Sequence, residues 1–258
     1  MSSELVVTRN GPVATLTLNR PEKLNALDLA QWDRLGDAVL GFESDATLRV
    51  IVIAGAGTAF AAGGDIEEFT RVRRTPAEAR AYDVRVMRAT RAMTGSPHAV
   101  IAAIRGACVG GGLEIACACD LRIAAESSRF GIPVARLGMA APPEELPPMV
   151  QLLGIDGALE LLLEARLYDT REALAKGLVT RVVPDDELDA EIAATAQRIA
   201  AGGALAARAH KRVVREWARA GSLSPAAIDQ AYACIASDDF REGVAAFLAK
   251  RRPQFTGK

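Results

Sequence analysis

Apolar and polar residues alternate on both sides of Asn10-Gly11 in ELVVTRNGPVATLTLNR, and a two-residue period around an Asn-Gly pair predicts a β-hairpin. LDLAQWDRLGDAVLGFES carries apolar residues at helical spacing, with Asp28 placed to cap the helix. RVIVIAG is a short continuous apolar run, the pattern of a buried strand, whereas GAGTAFAAGGD is too glycine-rich for a regular element and forms a loop. DIEEF opens a short helix and TPAEARAYDVRVMRATRAM a longer one; AVIAAIRG is again strand-like, and DLRIAAESSRFGIP supplies further strands. After about residue 142 the pattern turns mainly helical. Thr170 caps REALAKG, Gly177 ends it, and LVTRVV is one more short strand. Past Pro184 and the acidic turn DDE, two or three amphipathic helices run to the end. Strands alternating with helices, then helices alone, predict an α/β core over residues 1–200 and a C-terminal helical region over 201–258. The helical region has apolar faces with little sheet left to cover, which points to a role in oligomerisation.

Composition narrows the class of protein. Half of the 258 residues are hydrophobic and the formal net charge is -1 with no basic block, which argues for a globular chain and against a nucleic-acid partner. No apolar run reaches the length of a membrane span, and MSSELVVTRNGPV lacks the basic start and long apolar core of a secretory signal, so a cytoplasmic location is expected. Cys108, Cys117, Cys119 and Cys234 form no C-x-x-C pair and have no nearby histidine; they read as small buried residues in a reducing compartment, with no metal site expected. His98 and His210 read as ordinary surface or interface residues.

The candidate chemistry lies in GACVGGGLEIACACD. Glycines let backbone N–H groups approach a ligand closely, and a glycine-rich segment leading into a helix points free N–H groups outward with the positive helix end behind them. Such a group can stabilise a developing oxyanion. Glu114 falls in the first helical turn, where the helix dipole favours its charged form and burial opposes it. Two readings stand side by side: a ligand site, or close helix–strand packing with a glutamate at a helix start. FAAGGDIEEF is a second loop of the same kind, following a strand and leading into a helix, so the two loops together can offer two N–H groups to one carbonyl oxygen. Neither nucleotide-binding glycine motif occurs.

These segments carry a resemblance. AFAAGGDIEEF is similar to the F-x-A-G-A-D-[IL] loop of the crotonase (enoyl-CoA hydratase/isomerase) superfamily, and VIAAIRGACVGGGLEIACACDLRIAAESSRFGIPVARLG resembles its second signature. LNRPEKLNAL, ALAKGLVTRVVPDDEL and REGVAAFLAKRRPQF extend the likeness over nearly the whole chain. The resemblance implies a crotonase-type α/β core of repeated ββα units, an acyl-CoA thioester as substrate with no bound cofactor, and trimers or dimers of trimers. It implies that Gly64 and Gly111 donate to the thioester oxygen, that Ala62 and Gly63 line the CoA loop, and that Asp65 fixes the following helix. Glu22, Lys23 and Leu24 match a segment that contacts CoA largely through backbone, and Phe247 and Lys250 one that helps cover CoA, often from a neighbouring subunit. Glu114 matches the first of two glutamates that hydratases use to handle water.

The chain also departs from the family's pattern. Hydratases resemble F-G-x-P-E where this chain reads FGIPV, so Val134 stands in place of the second glutamate and joins Leu137 as a lining of the acyl pocket. In LGMAAPPEELPPMV, Glu144 and Glu145 replace small residues of the family's next loop. They are either second carboxylates reaching the pocket or helix-start residues after Pro142-Pro143. Arg105 stands where relatives often have Asn, and Glu67 where some have a Lys near the CoA phosphates. The expectation is an enoyl-CoA hydratase using Glu114 as acid/base. The alternatives are a double-bond isomerase using Glu114 alone or with a loop carboxylate, and a non-catalytic acyl-CoA binding protein.

Overall fold

The computed structural model describes residues 4–258; residues 1–3, the start of the first expected region, lie outside it. Strands β1 (Leu5–Asn10) and β2 (Val13–Leu18) pair antiparallel around Gly11, whose φ of 55° is the left-handed turn conformation that glycine adopts freely. In β2 the even positions Ala14, Leu16 and Leu18 are fully buried and the odd ones are not, as the two-residue period requires.

The sheet continues parallel through β3 (Val50–Gly55), β4 (Ala99–Ile104), β6 (Leu121–Ala125) and β8 (Arg181–Val183), in the order β1-β2-β3-β4-β6-β8. Its central strands are covered on both faces, which is why they read as unbroken apolar runs. Ile51 and Ile53 point into one core with Trp32, Leu35 and Val39 of α1 (Leu29–Gly41) and Val86 and Met93 of α3 (Pro76–Gly95). Val50 and Val52 point the other way, onto Leu188, Ile192 and Ala196 of α7 (Leu188–Ala200).

A second, two-stranded parallel sheet positions the site. It consists of β5 (Ala107–Val109) and β7 (Arg129–Gly131). The loop after β3 lies along β5: Phe60 and Ala61 N–H donate to Ala107 O, and Val109 N–H donates to Ala61 O. That loop then enters α2 (Ile66–Val72), while β5 leads directly into α4 (Gly111–Ala118). The two glycine-rich loops therefore run side by side.

Downstream come α5 (Leu146–Glu164), α6 (Thr170–Ala175), α8 (Ala204–Ala220), α9 (Pro225–Ala233) and α10 (Asp238–Leu248). Four helices rather than two or three thus follow Pro184 among the described residues. Asp28 caps α1 in a reciprocal capping box with Gln31. The cap of α6 is Asp169, which accepts from Glu172 N at 2.8 Å; Thr170 is already the first helical residue. The segment 143–164 corrects the expectation about apolar runs, since by length and composition it is long enough to cross a membrane. Gly154, at φ 70° and ψ 176°, breaks it into two shorter helices. His98 is also not a surface residue: it is buried, with its ring Nε2 2.8 Å from Phe42 O.

Candidate functional site

The parallel course of the loops brings two backbone N–H groups together. A Cβ built on Gly111 would sit 3.6 Å from Gly64 N, and neither the Gly64 nor the Gly111 N–H donates to any acceptor among the described residues. Glycine is required at both places by contact rather than by φ. A Cβ at Gly64 would meet Phe69 Cζ at 2.8 Å, and one at Gly111 would meet Trp32 Cζ2 at 2.7 Å. Gly110, the residue before α4, has φ 51°, which turns the chain so that Gly111 opens the helix with its N–H outward.

A buckle of polar groups holds the 59–65 loop against the one after β2. Asn25, fully buried at φ 58°, donates from Nδ2 to Ala56 O and Ala59 O and accepts from Arg20 N. Ala62 N–H donates to Leu24 O, Leu27 N–H to Gly63 O, and Asp65 N–H to Leu27 O. Asp65 caps α2 by accepting from Glu67 N, and receives Arg20 at 3.0 Å and Lys23 at 3.1 Å. Burial opposes its ionisation, and the hydrogen bonds from Lys23 and Arg20 overcome it and hold the carboxyl below its usual value. Lys23 also pairs with Glu67 at 2.8 Å, so the acid at that position draws the cation to itself.

Both N–H groups border a cavity of about 280 Å³. Ala62, Gly63, Gly64 and Gly111 form one side, and Glu114 reaches it from the first turn of α4. Val134 and Leu137 line it from the 3-10 turn Pro133–Leu137. Ile66, Phe69 and Arg73 contribute from α2 and its end, and Tyr82, Asp83 and Val86 from α3.

Glu114 makes no side-chain hydrogen bond or ion pair among the described residues. Burial pushes it up to about 8, Glu145 and Asp83 add repulsion, and Arg73 opposes them only weakly. Adjacent Glu144 and Glu145 separate. Glu145 is buried, its Oε1 3.2 Å from the Thr90 hydroxyl, and burial raises it to about 7. It stands behind Glu114 without lining the cavity. Glu144 is exposed and borders a different cleft with Arg91 and Arg215.

The other expected residues fall outside the cavity. Glu22, Lys23 and Leu24 occupy the exposed turn beside it, with Leu24 at φ 50°. Phe247, 83% exposed, and Lys250 lie at the far end of α10, and within one chain the fold does not bring them to the cavity. Arg73 and Asp83 carry no sequence signal of their own, because in a helix as charged as α3 an aspartate reads as a solvent-facing residue. Tyr82, Val86, Ala89 and Met93 do mark its buried stripe at helical spacing.

The sequence profile described as enoyl-CoA hydratase/isomerase matches residues 8–258. A protein of Mycobacterium tuberculosis named "Probable enoyl-CoA hydratase" is 37% identical over 255 residues, covering 98% of this chain and 97% of its own. A crotonyl-CoA hydratase of Syntrophomonas wolfei is 33% identical, covering 98% of each chain. The crystal structure of an enoyl-CoA hydratase/carnithine racemase from Magnetospirillum magneticum superposes with a TM-score of 0.96 at 44% identity, covering 100% of this chain and 97% of that one. The chain, with its parallel-dominated α/β fold and paired glycine loops, belongs to the enoyl-CoA hydratase/isomerase family of the crotonase superfamily.

Proposed function

We propose that this chain adds water across the C2=C3 bond of a 2-enoyl-CoA, with the Gly64 and Gly111 N–H groups as an oxyanion hole and Glu114 as the acid/base. The observation that carries this is the pair of unpartnered N–H groups on the same cavity as an unpaired carboxyl. Two fixed donors stabilise the charge that gathers on the thioester oxygen as C2 becomes nucleophilic. The Glu114 carboxylate takes a proton from water as the water oxygen bonds to C3. The resulting carboxylic acid then delivers a proton to C2, and the enolate collapses to the 3-hydroxyacyl thioester. One carboxyl thus performs both transfers, which accommodates Val134 at the place of a second glutamate.

Val134 also favours a second reading, isomerisation. There Glu114 removes a proton from C2 of a 3-enoyl-CoA and returns it to C4, with no water consumed. The same oxyanion hole serves both reactions. We further propose that Phe247 and Lys250 complete the CoA site of a neighbouring subunit in a trimer or hexamer of a cytoplasmic enzyme; the exposure of Phe247 and Leu248 supports that assembly. Incubation with 2-enoyl-, 3-enoyl- and 3-hydroxyacyl-CoAs in heavy water, read by mass, tests the proposal. A gain of one heavy water supports hydration, and conversion of 3-enoyl to 2-enoyl without that gain, followed by the ultraviolet absorbance of the conjugated thioester because the two isomers have equal mass, supports isomerisation. No reaction of any thioester overturns both.

A further inference from the structure

The lining of the cavity is mostly apolar, and besides Glu114, the exposed Arg136 and the Tyr82 hydroxyl it holds an ion pair that the reaction does not use. Arg73 Nη1 donates to Asp83 Oδ1 at 2.8 Å, and the side chains of the pair are only 11% and 14% exposed. Both residues line the cavity, as do Val134 and Leu137. The guanidinium is held in place by two rings, 4.9 Å from the Phe69 centroid and 4.8 Å from that of Tyr82, which themselves meet edge to face at 5.4 Å. These rings touch the oxyanion loop, since a Cβ on Gly64 would lie 2.8 Å from Phe69 Cζ and 3.2 Å from the Tyr82 hydroxyl. The ion pair therefore stands one aromatic ring beyond the point where a thioester carbonyl would be held.

The pair is incompletely satisfied. A guanidinium has five N–H donors, and among the described residues Arg73 uses its side chain in one hydrogen bond. Asp83 Oδ2 has no partner among them either. A plain alkyl tail filling the cavity would seal these groups from water without replacing it, which is unfavourable for a charged pair. An anionic tail would meet Arg73 but be repelled by Asp83; a cationic one would suffer the reverse. A hydroxyl both donates and accepts, as the bulkier carboxamide does, so it is the smallest neutral substituent that matches a site offering a donor and an acceptor side by side.

We propose that the acyl group taken by this cavity carries a hydroxyl a few carbons from the thioester, received between Arg73 and Asp83. The proposal rests on the reading of the cavity as an acyl-CoA site. It makes Arg73 and Asp83 specificity determinants rather than participants in proton transfer.

The test compares trans-2-enoyl-CoAs of four to six carbons, each with a terminal methyl, hydroxymethyl or carboxylate, on the wild-type chain, Asp83→Asn and Arg73→Gln. The readout is the ratio of kcat/KM between two tails within one preparation, which does not depend on how much of a variant is folded. At the best chain length the wild type should favour the hydroxylated tail by at least about 10-fold, below the discrimination of a fully enclosed hydroxyl site because the pair already satisfies itself in part. Each variant should bring that ratio to within about 3-fold of unity. Asp83→Asn should also raise the carboxylated tail relative to the hydroxylated one. An alkyl tail used as well as the hydroxylated one by the wild type, or a ratio unmoved in both variants, overturns the proposal while leaving the reaction intact. If no thioester reacts at all, the acyl-CoA reading falls and this proposal with it.

Discussion

Two acids at opposite ends of the α4 segment are treated in opposite ways. Asp120, just past its C-terminal end, is saturated. It accepts from Val100 N at 2.8 Å and pairs with Lys211 at 2.8 Å and Arg215 at 2.9 Å. Glu114, in the first turn, has no partner among the described residues and is held at about 8 by burial. The cations around Asp120 are themselves committed to the fold: Lys211 donates to Met93 O and His98 O, and Arg215 to Ala118 O and Cys119 O. Asp120 thus fastens α8 to the edge of the core. An acid the fold requires is surrounded by donors, whereas one left bare beside a cavity raises the energy of the folded state and is explained by chemistry.

The largest expected effect breaks the comparison at Glu114. Glu114→Gln keeps the shape and removes the titrating group, and turnover on the best substrate should fall about 10² to 10⁴-fold with CoA affinity little changed. Its effect on stability should have the opposite sign. The folded-state pKa of Glu114 lies above the ordinary 4.5, so ionising it opposes folding, and its contribution to stability is lost as pH rises from 4.5 through about 8. Glu114→Gln should therefore melt above wild type at pH 8, with the two melting temperatures converging below pH 4.5. A variant that is active, or less stable at pH 8, would mark Glu114 as a structural residue.

Gly111→Pro comes next. Proline suits the first position of a helix but has no N–H, so it removes one donor from the proposed oxyanion pair. Turnover should fall about 10² to 10³-fold. The new ring also meets Trp32 Cζ2, 2.7 Å from the Cβ position, so the folded fraction must be measured by circular dichroism alongside the rate. Near-normal turnover in the folded variant would remove Gly111 from the oxyanion hole.

Asp120→Ala probes the other end. It strands Lys211, which burial already pushes below its ordinary pKa, and frees Arg215 from its carboxylate. Because Arg215 is 28% exposed, the loss should be about 2 to 3 kcal/mol in denaturant unfolding, below the 3–5 expected of a fully buried pair. The folded fraction should keep its full kcat/KM. A catalytic loss with stability unchanged would erase the distinction between the two acids.

The contrast between these acids also shows where sequence reading succeeds. The alternating hairpin, the apolar central strands and the two glycine loops each follow from local pattern, because a two-residue period, an unbroken apolar run and a glycine cluster are each read from neighbours in sequence. Glu114 was visible for the same reason, as a charge in a run of small apolar residues. Glu144 and Glu145 were not separable, because a single 3-10 turn, Pro143–Glu145, decides which of two neighbouring acids faces inward. Asp83 is hidden for a different reason: its partner Arg73 lies just past the end of α2, and nothing local distinguishes an ion pair that lines a cavity from one in water. At α6 the adjacent Asp169 and Thr170 are both good caps, and the side chain that reaches Glu172 N settles the choice.

Glu145 gives the smallest effect and the sharpest division between the two kinds of acid. It is more buried than Glu114 but does not border the cavity, and its charge is the first repulsion that raises Glu114 after burial itself. If Glu114 works from its carboxylate form, kcat/KM rises with pH toward a plateau above about 8. Glu145→Gln removes a negative charge behind Glu114, which eases the ionisation of Glu114 and moves the rising limb to lower pH. The displacement should be a fraction of a pH unit, the size of one charge–charge interaction at the effective dielectric of a protein interior. The plateau should be unchanged, and the rate at pH 7 should rise by no more than about 3-fold, since a shift of half a unit is a factor of about 3 on the rising limb. A second carboxylate that itself handles the water would behave otherwise: the plateau would fall by about 10² or more, and combining Glu145→Gln with Glu114→Gln would cost less than the sum of the two in free energy. A lowered plateau would make Glu145 a second catalytic acid; a shifted limb with the plateau intact makes it the charge that keeps Glu114 poised.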